Sequence, residues 1–169
     1  KLLIDYENAT GAPVHIFRLT NVFGKWARPS YNSVIATFCH NLANDLPIKI
    51  DNPKSELRLV YIDDVIDAFL EILKAPETTF KESDLGPIYL TTVGETAEMI
   101  RSFKDSRCHL TIPKVGQGLL RALYSTYVSY LDPTKFDHEL PKHADPRGEF
   151  VEMLKTSDSG QISYFTAHP

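Results

Sequence analysis

The chain has 169 residues, 43% of them hydrophobic and 24% charged, with a formal net charge of −4. That length holds one moderate domain, or part of one and the start of another, and the composition is globular rather than disordered. The positive charges are scattered, which argues against nucleic acid as a partner, and no apolar run approaches the ~18 residues that would make a membrane a partner.

Residues 1–9 are predicted to end a helix, with Gly11 just past its C-terminus and Pro13 beyond. "VHIFRL", 14–19, is predicted as a strand. "TNVFGKWARPSYN", 20–32, is a loop that carries the only tryptophan, Trp26. "SVIATFCHNLAN" is a helix with Val34, Ile35, Phe38 and Leu42 inward and Cys39 on the same apolar face. "PIKI", 47–50, is a short strand, and Asn52-Pro53-Lys54-Ser55 is a turn.

"LRLVYIDDVIDAFLEILK", 57–74, contains two periods. Leu57, Leu59 and Tyr61 alternate with Arg58 and Val60 as in a strand, and from Ile62 the apolar residues Val65, Ile66, Phe69, Ile72 and Leu73 follow a helical face. A polar loop (75–86), a strand "IYLTT", a helix around 95–106, a strand "HLTIP" and a helix around 118–130 come next. Helices alternating with strands predict an α/β domain with a largely parallel sheet.

After Leu131 the stretch "DPTKFDHELPKHADPRGEF" is rich in proline and charge, and "FVEML" and "GQISYF" then alternate. We place a domain boundary near residue 132, with 132–169 a linker and the first hairpins of an all-β domain. The chain starts inside a helical pattern without a methionine and stops inside a strand pattern, so a fragment is expected. Cys39 and Cys108, unrelated in spacing, suit a reducing, cytoplasmic setting.

Four motifs bear on chemistry. Asp63 and Asp64 stand at a helix start, where side-chain oxygens accept from the orphan amides and negative charge suits the dipole. Adjacent on one helix, they cannot converge as an acid/base pair, so they are read as capping residues. "VGQGLLRAL", 115–123, has Gly116-x-Gly118 but arginine at 121 where a dinucleotide fingerprint needs its third glycine, and no acidic residue follows at the ribose position. His138 and His143, beside Asp137 and Asp145, meet no recognised metal spacing. "RLTNVFGKW", 18–26, places Asn21 where the carboxyl edge of a sheet opens, with a donor and an acceptor for a sugar hydroxyl or carbonyl, or for its own loop backbone.

The order R-x-x-N-V-F-G, a helix, then "LVYIDDVIDAFLEIL" resembles the extended short-chain dehydrogenase/reductase family that acts on nucleotide sugars (the NAD-dependent epimerase/dehydratase family). With "WARPSYNSVIATFCHNLANDLPI" and "LYSTYVSYL" it is most similar to the capsular-polysaccharide reductases of the CapF type, in which the dehydrogenase domain precedes a cupin epimerase domain. "HADPRGEFVEMLKTSDSGQIS" resembles the first cupin strands, and "D-x-R-G-x-F-x-E", Asp145 to Glu152, resembles deoxysugar 3,5-epimerases.

This resemblance implies that 1–131 is the C-terminal part of a Rossmann-like dehydrogenase domain, including its substrate-binding portion. It implies a cytoplasmic NAD(P)-dependent reductase/epimerase, active on a UDP-linked 4-keto-6-deoxyhexosamine in capsule or O-antigen synthesis and working as a homodimer. NAD or NADP is the implied cofactor, with its glycine-rich loop and the Tyr-x-x-x-Lys couple expected upstream; Lys1 is read as a bystander. A metal site is implied in a further cupin segment beyond Pro169. Asn21, Arg28, Tyr31, Arg58 and Arg147 are the implied substrate-binding residues; many members carry an arginine where this chain has Leu57, one position from Arg58. Taken alone, the chain is expected to be inactive. An epimerase or dehydratase without net hydride transfer stays open, as does a non-catalytic binding module on the same scaffold.

Overall fold

A computed structural model describes residues 1–75, 85–137, 139–156 and 159–168. The elements are α1 (Leu2–Thr10), β1 (Asn21–Phe23), α2 (Val34–Ala43), β2 (Glu56–Tyr61), α3 (Ile62–Lys74), β3 (Tyr89–Thr92), α4 (Val93–His109), β4 (Thr111–Ile112), α5 (Gly118–Val128), β5 (Lys142–Asp145), β6 (Gly148–Thr156) and β7 (Gly160–Ala167). No helix among the described residues is long and apolar enough to cross a membrane.

The first sheet has the order β1-β2-β3. β1 and β2 run parallel, with Phe23 opposite Tyr61, whereas β3 runs antiparallel to β2. The expected largely parallel sheet is therefore mixed. The cause is where the chain re-enters: Gly86 lies against Asp64 at the head of α3, so β3 starts at the carboxyl edge of β2 and descends. Most of the predicted polar loop, 76–84, lies outside the described residues.

Two predicted strands are not formed. Residues 14–19 and 47–50 form no strand, because no described strand pairs with them to complete a ladder. The chain first meets β2 at Asn21, and there the strand begins. Ile48 and Ile50 still alternate inward, packed on the core.

α2, α4 and α5 cover one face of this sheet. Phe23, Ile35, Phe38, Cys39, Leu59, Tyr61, Ile100, Phe103, Leu123 and Tyr127 form a continuous buried cluster, each large apolar side chain contributing about 1.5–3 kcal/mol by burial. The buried Thr96 and Thr126 hydroxyls are satisfied by donating to the carbonyls of Thr92 (2.7 Å) and Ala122 (2.8 Å). Burial pushes the Cys39 thiol pKa well above its ordinary range.

α3 departs from its expected orientation. Val65 and Ala68 are buried, but Ile66, Phe69 and Leu73, read as inward, are exposed. α1 buries nothing, and Leu2, Leu3, Ile4 and Tyr6 face outward. The helix does end as read, with Gly11 in the left-handed region at φ 69° and its N–H donating to the Glu7 carbonyl.

The second sheet is built on β6. β7 pairs along its length, while β5 and β4 pair with its first and last residues. β5 falls inside the stretch read as a linker. β4, on the N-terminal side of the boundary drawn from sequence, joins this second sheet rather than the first. Its two residues pair parallel with Lys155 and Thr156, so the two sheets share chain across residue 132.

Asp145 to Gly148 is the β5–β6 turn. The Asp145 carboxylate accepts from the Arg147 backbone N–H at 2.8 Å and from its guanidinium at 2.6 Å, contacts that hold its pKa below the usual range. Gly148 has φ 154°, and a Cβ there would sit 1.9 Å from the Thr166 carbonyl oxygen. Gly148→Ala should lower the melting temperature by roughly 4–8 °C, as backbone strain and a main-chain clash combine. Gly116→Ala, where a Cβ meets nothing within 4 Å, should leave it nearly unchanged; thermal unfolding of both variants checks this.

α4 begins in a capping box. The Thr92 hydroxyl accepts from the Glu95 N–H, and the Glu95 carboxylate accepts from the Thr92 N–H at 2.9 Å and the Thr91 hydroxyl at 3.0 Å. The Thr91 hydroxyl, then the Thr92 N–H, lower the Glu95 pKa from its ordinary 4.5. A depressed carboxyl contributes its stability above 4.5 and loses it as pH falls through the folded value. Glu95→Gln, which does not titrate, should be less stable than the parent at neutral pH, and the gap should close under acid. Denaturation midpoints measured across that pH range test it.

Candidate functional site

The parallel strands β1 and β2 both end at one edge, the position where open α/β sheets take ligands. Gly24 follows β1 and Ile62 starts α3; a Cβ on Gly24 would lie 2.1 Å from Ile62 Cγ2, so the loop can cross the helix only without a side chain. This fixes the next residue, Lys25, beside the head of α3.

Asp63 and Asp64 occupy the first turn of α3, but the cap position is Tyr61 and no side chain caps the helix. The expected capping hydrogen bonds are absent because both carboxylates turn outward to cations from other elements. Lys25 Nζ lies 2.8 Å from Asp63 Oδ2, and Arg121 Nη2 lies 3.4 Å from Asp64 Oδ1. Negative charge in the first turn still complements the helix dipole. The hydrogen bond from Lys25 to Asp63 raises the lysine pKa and keeps the ammonium charged.

Tyr61, fully buried, sits between these pairs. Its ring lies 6.0 Å from Lys25 Nζ and 5.5 Å from the Arg121 guanidinium. Its hydroxyl meets no partner in hydrogen-bonding geometry, and neither does Asp64 Oδ2. Burial raises the phenol pKa, with the Asp63 charge adding to the effect. Tyr89, on β3, is raised in the same way, by burial and then by Asp64. Both phenols stay neutral over the physiological range. The cluster is formally neutral, with Lys25 and Arg121 each facing a carboxylate, and it fixes the head of α3 at the sheet edge. No nucleophile paired with a base appears in it.

The residues read from sequence fall in separate places. Asn21 opens β1 instead of following it, and it is exposed, opposite Leu59. Arg28 and Tyr31 come together in the β1–α2 loop, guanidinium over ring at 5.5 Å. Arg58 lies on the opposite face of β2 from Leu57 and Leu59, lining a recess of about 70 Å³ with Arg18, Thr20 and Gly86. Arg147 belongs to the second sheet, 91% exposed and paired with Asp145. Lys25, Tyr61 and Arg121 were missed. Lys25 follows the motif glycine directly, and Arg121 is the residue that breaks the glycine fingerprint.

The segment 115–123 does not fit a dinucleotide diphosphate. Gly118 starts α5 at φ 64°, Gln117 makes no capping bond, and Arg121 turns to Asp64. His143 lies exposed on β5, and His138 lies outside the described residues. No group of three histidine, cysteine or acidic residues able to hold a metal occurs among the described residues.

Comparison with known proteins gives a consistent result. The chain is 55% identical over 159 residues to the UDP-2-acetamido-2,6-beta-L-arabino-hexul-4-ose reductase of Pseudomonas aeruginosa strain PA103, covering 94% of this chain and 43% of that protein. The crystal structure of the capsular polysaccharide assembling protein CapF from Staphylococcus aureus matches with a TM-score of 0.92 and 38% identity, over 99% of this chain and 46% of CapF. The UDP-glucose 4-epimerase of Thermus thermophilus, solved with NAD, shares the fold alone, with a TM-score of 0.58, 18% identity and coverage of 76% of this chain and 50% of that one. The chain therefore spans less than half the length of its reductase relative and of CapF. Residues 1–85, just over half of the chain, match the family model described as NAD dependent epimerase/dehydratase, and the chain belongs to that family.

Proposed function

We propose that this chain is the sugar-nucleotide-holding portion of an NAD(P)-dependent reductase acting on a UDP-linked 4-keto-6-deoxyhexosamine in capsule or O-antigen synthesis. The observation that carries the reading is its 55% identity, over 159 residues, to a reductase of a UDP-linked 4-ketose. When bound, the dinucleotide supplies hydride to the C4 carbonyl carbon; the residues described here do not build its cradle. What they contribute is orientation. Asn21 offers a donor and an acceptor to the sugar, and Arg28, backed by Tyr31, offers charge to the diphosphate.

Arg58 and Arg147 enter the reading less directly. Arg58 faces away from Asn21 across the sheet, which would place it against a different part of the ligand. Arg147 is assigned to a second site, in a cupin-type epimerase domain begun by residues 132–169, with 1–131 as the dehydrogenase portion. A metal in the rest of that cupin, a homodimer and a cytoplasmic location complete the proposal; free Cys39 and Cys108 suit a reducing compartment.

The test is a protein of its reductase relative's full length that contains this chain. It should consume NAD(P)H when given the UDP-linked 4-keto sugar, and this chain alone should not. Failure of the longer protein with every UDP-linked 4-ketose would overturn the reading, and turnover by the chain alone would overturn the division of labour.

Asn21→Ala in the longer protein should lower kcat/KM roughly tenfold, the loss of one positioning hydrogen bond that leaves a partner unpaired. NAD(P)H affinity should not move. A fall in melting temperature with unchanged kcat/KM would remove Asn21 from the site.

A further inference from the structure

The β1–α2 loop holds out the chain's single tryptophan in an unusual way. Trp26 is 77% exposed and its backbone is in the left-handed region, φ 59°, where a bulky side chain is rarely found. Ser30, four residues on, is left-handed as well, at φ 55°. Strain of this kind persists only where the surroundings impose it, and it gathers at ligand sites.

The surroundings are on hand. The Trp26 N–H donates to Ser129 Oγ at 3.3 Å, and that hydroxyl donates to the Thr126 carbonyl at 2.7 Å. The Tyr130 hydroxyl donates to the Ala27 carbonyl. Lys25, before it, is tied to Asp63. The end of α5 and the head of α3 thus pin the loop on both sides of Trp26, while the indole stays in solvent at the carboxyl edge of the sheet. Two cations lie within two residues: Lys25, with Nζ 5.5 Å from the indole, and Arg28, which has no carboxylate partner among the described residues.

A rigid, exposed aromatic face two residues from Arg28, which no described carboxylate neutralises, suits a planar base carrying phosphates. Resting on the functional reading above, we infer that Trp26 is the stacking platform for the uracil of the nucleotide sugar, with Arg28 meeting the diphosphate. Stacking on a preformed, immobilised ring loses little conformational entropy, which is what the strained, pinned backbone provides. The same geometry gives selectivity by part of the ligand: the indole reads the base and the guanidinium reads the charge.

Because Trp26 is the only tryptophan in the chain, its emission reports on this ring alone. The 169-residue chain should be titrated with UDP, uridine and inorganic pyrophosphate, following fluorescence and, independently, heat of binding. UDP and uridine should quench the emission saturably, and pyrophosphate should bind without quenching. Trp26→Gly, which accepts φ 59° and so keeps the fold, should weaken UDP binding roughly tenfold. Trp26→Phe should stay within a few-fold. Arg28→Ala should weaken UDP and pyrophosphate and spare uridine. If UDP binds with unchanged emission, and Trp26→Gly binds it as tightly as the parent, the stacking role is wrong while the UDP-sugar reading stands. If calorimetry shows no UDP binding to the folded parent chain at all, the functional reading falls with it.

Discussion

The carboxyl edge of the first sheet depends on two places where no side chain can stand. A Cβ on Gly24 would come 2.1 Å from Ile62, and one on Gly86 would come 2.6 Å from the Asp64 Cβ. These contacts press the loop after β1 and the approach to β3 onto the first turn of α3. With the backbone that close, Lys25 reaches Asp63, Arg121 reaches Asp64, and the Tyr61 ring is closed in between. Any bulk at either glycine would move the helix head, and with it the two carboxylates that hold the cations. The ion pairs are partly exposed and individually worth little. Their value is geometric, since they fix where positive charge stands relative to the sheet edge.

The stability of the chain is unevenly distributed. One face of the sheet is sealed by α2, α4 and α5 around Phe23, Tyr61, Phe103 and Tyr127. On the other side, α1, the segment 14–19 and the outer face of α3 leave Leu2, Ile4, Ile16, Phe69 and Leu73 exposed. Large contiguous apolar patches are where proteins meet other surfaces. The relatives are more than twice as long and carry enough additional chain to cover such a surface. The apolar pattern on α3 is thus meaningful even where the described residues leave it bare.

Much of the fold was legible in the sequence. The helical period placed α2, α3, α4 and α5 within a few residues of where they lie, and alternation placed β2, β6 and β7. The family was legible as well, through R-x-x-N-V-F-G and the strand-to-helix switch at Tyr61. These are local signals: apolar period, the glycine after α1, the residues of a tight turn. They depend on neighbours a few positions away, so a chain read in order displays them.

What the sequence did not display were relations between distant residues. Val14–Leu19 has a strand's alternation, yet pairing decides whether a ladder forms, and it begins only at Asn21. The direction of β3 was set by a chain return to Asp64, and β4 joined the second sheet because Lys155 and Thr156 were there to receive it. Asp63 and Asp64 have the composition of helix caps, but a lysine 38 positions upstream of Asp63 and an arginine 57 beyond Asp64 drew the carboxylates away. Apolar period determined which segments are helical, and the order of short motifs carried the resemblance to the family. Which side chains meet at the edge of the sheet was decided only by the tertiary structure, because electrostatic and hydrogen-bond partners are chosen by distance in space, and sequence separation does not encode it.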